Sequence, residues 1–333
     1  MSLLVAALIL LAAPPSAEEA TEAVEAALAE ARSLIDAGQP GVAAEKLLGL
    51  GAAEDPRVSL LLGVARYHAD QYLEAIALLE PLVAAFPEGS LERREVVQVL
   101  GLSRYLAGRL PEAIPLLERT SEWARDNLEL SHVLGTAYLK TQQPEKARAS
   151  LARTFGVAPE SAAAHLVTAQ LMIRAELDDL AEAELRQAIA KDPRLPRVRF
   201  LLGQTALFRG RVEEAVELLR GELEVSPGDP MAHYRLGDAF LHQRDWDRAI
   251  ASLQRSLWLN PFFSGPYVLL GRVYMQKGQP ATAEGMLRQA IAYDPNNKVA
   301  HYLLGQLLQR TGRAEEARRE LELAERLQDE PGR

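Results

Sequence analysis

The chain reads as an all-α solenoid of tandem antiparallel helix pairs, and three observations predict it. A glycine recurs on a 34-residue period at Gly101, Gly135, Gly203, Gly237, Gly271 and Gly305, with Ala169 holding the same slot in between. An alanine stands twelve residues after each, at Ala113, Ala147, Ala181, Ala215, Ala249, Ala283 and Ala317. In most units a proline follows twelve residues later still, at Pro159, Pro193, Pro227, Pro261 and Pro295. Only an array whose units contact mainly their neighbours has reason to keep such a period.

With the recurring glycine at position 8, units begin near Val24, Pro56, Arg94, Leu128, Ala162, Pro196, Pro230, Ser264 and Lys298. The unit at Pro230 places small or apolar residues at Leu236, Gly237 and Phe240, then at Ala249, Leu253 and Ser256. The i, i+4, i+7 spacing of the second set is one face of a helix, so each unit supplies two helices, A and B. Gly38, Gly108, Gly210, Gly278 and Gly312 share position 15, where a left-handed residue ends helix A. Pro40, Pro144 and Pro280 share position 17, the first turn of helix B, where a missing N–H costs nothing. The proline at position 32 stops helix B from running on. A turn of about three residues makes A and B pack antiparallel. Glycine at position 8 and alanine at position 20 are expected at that crossing.

The pattern resembles the tetratricopeptide repeat. Leu134-Gly135, Tyr138, Ala147 and Pro159 carry the likeness, as do Leu236-Gly237, Phe240, Ala249 and Pro261. So do Tyr267, Leu270-Gly271, Tyr274, Ala283 and Pro295. It spans about nine units, from Val24 to Leu327. The resemblance implies a right-handed superhelix with A helices lining its concave side.

Three departures stand out. The first unit has Ala31 in the glycine slot, with only Ala43 and Leu47 to support its helix B. Gly63 and Gly101 lie 38 residues apart, an insertion around Glu88, Gly89, Ser90 and Leu91. It reads as a longer surface turn, the alternative being a local change of superhelical pitch. The unit ending near Asn127 has Trp123-Ala124-Arg125-Asp126 where others have proline.

Of the 333 residues 48% are hydrophobic and only 6% aromatic, a profile of alanine and leucine packing between helices. A net charge of −9 disfavours nucleic acid, which needs a basic face. The absence of cysteine removes disulfides, thiolate metal sites and a cysteine nucleophile, and leaves the redox compartment undetermined. Residues 1–17 carry no charge, and Leu3 to Ala13 is an apolar run ahead of Pro14, Pro15, Ser16 and Ala17. Eleven residues rise about 16 Å as a helix, half a bilayer's hydrocarbon thickness. The segment therefore reads as a signal peptide cleaved near Ala17, with export to a periplasm or cell envelope. No Lys or Arg precedes the run, and a frayed apolar end or misplaced start is the alternative, with a cytoplasmic location.

No catalytic constellation emerges, and no cofactor, metal or small-molecule substrate is expected. His165, His233 and His301 share position 4, and His68 and His242 share position 13, so the repeat accounts for them. There is no HExxH, P-loop or Gly-x-Ser-x-Gly elbow, and Gly49-Leu50-Gly51 lacks the third glycine of a dinucleotide fingerprint.

The expected work is binding a protein or peptide in the groove. Helix A positions 5, 9 and 12 share a face. Position 5 reads Leu166, Phe200, Tyr234, Val268 and Tyr302; position 9 reads Gln170, Gln204, Asp238, Arg272 and Gln306. An apolar, partly aromatic stripe beside a polar ladder suits an extended or helical peptide. The competing reading is that the adjacent unit covers position 5 and water solvates position 9. Members of the resembled family that clamp a terminal carboxylate use lysine at position 5 and asparagine at position 9. Here Leu60 and Val64, then Gln98 and Leu102, stand in those slots, so that clamp is not expected.

Helix B of the last unit keeps an apolar face at Ala317, Leu321, Ala324 and Leu327, before a short polar tail at 328–333. Either its charged residues cap the 18–327 solenoid, or its end face supports self-association. The alternative function is thus a structural assembly factor of an envelope complex, acting through ends and edges.

Overall fold

The computed structural model describes residues 17–49 and 55–329, and every element among them is an α-helix. The signal-peptide reading lies outside the described residues, except for Ala17, which opens α1. The first compact body contains α1 (Ala17–Asp36), α2 (Pro40–Leu48), α3 (Pro56–His68), α4 (Tyr72–Leu79) and α5 (Leu82–Ala85). It continues with α6 (Leu91–Leu106), α7 (Leu110–Trp123), α8 (Leu128–Lys140) and α9 (Pro144–Thr154). The second contains α10 (Ala162–Arg174), α11 (Asp178–Lys191), α12 (Val198–Phe208), α13 (Val212–Val225) and α14 (Pro230–His242). It ends with α15 (Trp246–Leu259), α16 (Ser264–Gln276), α17 (Pro280–Tyr293), α18 (Lys298–Arg310) and α19 (Ala314–Asp329). In each body, consecutive A and B helices pack as pairs, and each B helix packs on the next A helix.

The A/B crossing is set by positions 8 and 24. Position 24 is leucine in every unit: Leu47, Leu79, Leu117, Leu151, Leu185, Leu219, Leu253, Leu287 and Leu321. A Cβ added to Gly63, Gly135 or Gly237 would stand 2.6 Å from the matching leucine, and 2.7 Å for Gly271 and Gly305. Alanine at position 20 takes part through its backbone: Ala249 O would lie 3.4 Å from a Cβ on Gly237. The crossing is therefore the position-8 glycine against the position-24 leucine. The alanine at position 20 lies at the crossing, as expected, and the position-24 leucine adds the side chain that faces the glycine.

Position 15 is left-handed in all nine units. Five are the expected glycines, and Asp70, Gln142, Glu176 and Arg244 adopt φ between 56 and 60° in the others. Each turn closes with the N–H of position 16 donating to the carbonyl of position 11, as Asp245 N does to Phe240 O at 2.9 Å. That six-to-one bond requires the left-handed residue before it. Pro40, Pro144 and Pro280 open α2, α9 and α17 as expected.

Four boundaries differ from expectation. The four extra residues after α4 do not form only a turn: α6 starts at Leu91, three residues ahead of the register, capped by Ser90 Oγ accepting from Arg93 N. Pro81 interrupts the preceding helix, leaving α5 as a single turn. The helix expected from Pro196 begins at Val198, because Arg197 is left-handed (φ 72°). There the buried Glu222 carboxylate of α13 accepts from Arg197 N at 2.7 Å and Phe200 N at 3.2 Å, capping α12 from outside its own chain segment. Finally, α19 runs to Asp329, so the polar tail expected from 328 begins as helix.

The outer edges of neighbouring pairs are joined by a recurring ion network. Glu182 of α11 accepts from Arg186, Arg209 and Arg211, and Arg186 and Arg211 reach Glu214. Arg211 first, and then Arg186, hold the Glu182 carboxyl down at about 2 against its burial. The same register recurs where Glu284 of α17 meets Arg288 and Arg313, and Arg313 also binds Glu316.

Candidate binding surface

In the second body the A helices bring the two predicted ladders onto one side, with unequal exposure. Phe200 and Val268 are buried, at 5% and 6%. Phe200 shares an apolar cluster with Ala232 and Leu236 of α14; Val268 packs with Ala290 and Ala300. The next A helix thus covers position 5, and the apolar stripe does not run continuously along the surface. Tyr234 is half-buried, with Phe263 edge-on at 4.9 Å and the Arg235 guanidinium 5.2 Å from its ring centre. Burial raises its hydroxyl above the usual phenol range. Tyr302 alone of the four named position-5 side chains is half exposed, and Gln306 donates to its hydroxyl at 2.7 Å.

Position 9 keeps its polar ladder. Gln204 and Arg272 are exposed, and Asp238 lies between Arg235 (4.0 Å) and His242 (3.8 Å). Gln204 lines a cavity of about 220 Å³ with Ile173, Asp178, Leu201, Thr205 and Phe208. Phe208, at position 13, is 86% exposed. A large apolar ring open to water beside a primary amide is the chemistry of a peptide-binding surface. Position 13 carries dissimilar residue types from unit to unit, so periodicity could not mark Phe208. Its signal is an aromatic residue at a helix C-terminus where the repeat demands none.

In the first body the A-helix side is bridged by charge. Arg32 of α1 binds Glu95 of α6 in bidentate fashion, and Arg57 of α3 binds Glu25 and Asp55. These residues frame a cavity of about 350 Å³ whose floor includes Leu28, Leu60 and Leu61. Leu60 and Val64 are buried at 3% and 4%, so the two positions a carboxylate clamp would use belong to the core.

The position-4 histidines serve the repeat. His165 Nδ1 meets Glu184 Oε2 at 2.7 Å and His301 Nδ1 meets Glu320 Oε2 at 2.6 Å, in each case an acid nineteen residues on in the same unit. His233 has Ser252 at that register and turns its Nε2 to Pro227 O at 3.1 Å instead. Among the described residues no three His, Cys, Asp or Glu side chains cluster to hold a metal, and no helix is long and apolar enough to cross a membrane.

No curated protein matches the chain. Among solved structures, PilF of Pseudomonas aeruginosa is 22% identical, covering 61% of this chain and 93% of its own, with a TM-score of 0.49. MamA of Desulfovibrio magneticus RS-1 is 22% identical over 50% of this chain and 94% of its own, TM-score 0.46. YrrB, described as a TPR protein with an unusual peptide-binding site, is 19% identical over 55% and 93%, TM-score 0.45. Two tetratricopeptide repeat family models match, one at residues 28–90 and 200–262, the other at 104–171 and 274–331. Those matches, falling on helix pairs that cross glycine against leucine, place this chain in the tetratricopeptide repeat family, whose members generally act as non-catalytic interaction scaffolds.

Proposed function

We propose that this chain is a scaffold that holds a segment of a protein partner along the A helices of its second body. The carrying observation is Phe208, a fully presented aromatic ring at the rim of the Gln204 cavity. An apolar anchor there supplies affinity, while Gln204, Asp238 and Arg272 fix register through side-chain hydrogen bonds and charge. Because Phe200 and Val268 are already covered, the ligand reads the polar ladder more than the position-5 stripe. The apolar run at Leu3–Ala13 supports delivery of the scaffold to a cell envelope, where the partner would reside.

The test is cross-linked capture from envelope extract with the intact chain, a Phe208→Ala/Gln204→Ala variant and a control Trp258→Ala, an exposed ring on the B helix α15. Loss of one defined partner in the double variant alone is the expected result. Equal capture by all three would overturn the groove reading. N-terminal sequencing of mature protein checks delivery, and an intact Met1 would end it.

A further inference from the structure

The outer face of the α18–α19 pair is built as the seat of a further helix, and the rest of the second body shows what such a seat takes. A cavity of about 560 Å³ opens there, lined chiefly by Val299, Tyr302, Leu321, Ala324 and Gln328, with Lys298 and Glu325 at its rim. In repeat register these include positions 5, 24 and 27. One unit earlier, positions 5 and 27 are Val268 and Ala290, which close on Ala300 at position 3 of α18. Position 24 there is Leu287, which packs with Leu304 and Leu307 of the same helix. Among the described residues nothing covers the equivalent face of α18 and α19: Val299 is 47% exposed and Tyr302 50%.

We infer that this face docks an amphipathic helix supplied by a partner, seated as α18 is seated on α16 and α17. Its apolar side would carry a small residue followed by apolar residues four and seven positions on, as Ala300, Leu304 and Leu307 do. Its flanking charges are also defined. At two internal seats of the second body, position 21 is glutamate and position 25 arginine (Glu182 and Arg186; Glu284 and Arg288), and they meet a following Arg211 or Arg313. On the outer seat the signs are inverted: Arg318 stands at position 21 and Glu322 at position 25, 2.7 Å apart. An incoming turn must therefore bring an acid where the chain's own units bring Arg211 or Arg313. That inversion disfavours a copy of α18 with its Arg313 turn as occupant and favours a partner helix followed by an acidic turn. The inference does not rest on the groove reading, since it uses the opposite end of the repeat logic.

Two labelled peptides test it by fluorescence anisotropy against the full chain. One has the sequence of residues 298–319; the other is the same with Arg313→Glu and Glu316→Arg. The charge-swapped peptide should bind saturably and about threefold to tenfold more tightly than the unswapped one, as expected for solvent-exposed ion pairs. Ala324→Arg, which fills the small-residue seat, should abolish binding, and the gentler Tyr302→Ala should weaken it, with circular dichroism unchanged in both. Binding insensitive to both substitutions would place the peptide on α17 by displacement of α18 and overturn the inference. So would absence of saturable binding. A concentration-dependent dimer dissolved by Ala324→Arg would overturn it in favour of a second copy.

Discussion

Gly237 and Leu253 occupy one space: the Cβ that Gly237 lacks would lie 2.6 Å from Leu253 Cγ, and Leu253 is fully buried. Helices α14 and α15 approach as closely as they do because one side chain at the crossing is absent. Gly237→Leu should therefore overpack the pair and cost about 1–3 kcal/mol in urea unfolding. Gly237→Ala should cost less than Gly237→Leu: its Cβ also requires Leu253 to shift, but about 1 kcal/mol of helix propensity offsets part of the clash, and Ala31 and Ala169 fill the same slot, each fully buried, in other units. No loss in the leucine variant would show that the crossing is not limiting.

Glu176 and Arg244 are held at φ 59° without the freedom of the glycines that share position 15. Glu176→Gly and Arg244→Gly should each stabilise the chain, by about 0.5–1 kcal/mol after glycine's unfolded-state entropy is counted. Gly210→Glu should do the reverse. Differential scanning calorimetry on the three variants checks the sign.

Glu222 is 1% exposed and accepts two backbone N–H groups at the start of α12. Glu222→Ala removes the acceptor and leaves the buried Phe200 N–H without it, costing about 1–3 kcal/mol. Glu222→Gln keeps one acceptor oxygen and should recover part of it. Hydrogen exchange at residues 197–200 should rise in the alanine variant before exchange elsewhere does.

Glu182 is held at about 2 by its arginine partners. A carboxyl with a lowered folded-state pKa stabilises fully above its unfolded value, near 4.5, and loses that contribution as pH falls toward 2. With the flanking arginines partly solvated, the contribution is on the order of 1–2 kcal/mol. Wild type and Glu182→Gln should therefore differ in stability at pH 6 and converge by pH 2. A difference unchanged across that range would remove the ion network as its cause.

Much of this fold was legible because a repeat writes each constraint several times. Glycine at position 8, proline at 17 and glycine at 15 each mark a backbone requirement that few residues meet, so their recurrence gave both helices and the turn between them. Position 24 is as regular, yet leucine is common enough in helices to pass unmarked until Leu253 is seen against Gly237. The four non-glycine left-handed residues at position 15 were hidden for the opposite reason: the turn's six-to-one hydrogen bond overrides their side-chain preference. Glu222 was unreadable, since a carboxylate at position 27, where Ala188, Ser256, Ala290 and Ala324 stand in other units, looks like a solvated residue until Arg197 turns left-handed above it. The proposed binding surface was half legible. Helix geometry groups positions 5 and 9, but burial of Phe200 and Val268 depends on how neighbouring pairs nest, and no single-unit pattern encodes that.

Every crossing contact between a position-8 glycine and a position-24 leucine joins residues sixteen apart within the same unit, as Gly237 and Leu253 are. Gene duplication or loss of 34 codons would then carry both halves of the contact together, leaving each surviving crossing whole. Length in such a chain can change by whole units in evolution or by design, and the four extra residues between Leu79 and Gly101 are tolerated because they fall between crossings; only a change inside a sixteen-residue span would sever a glycine from its leucine.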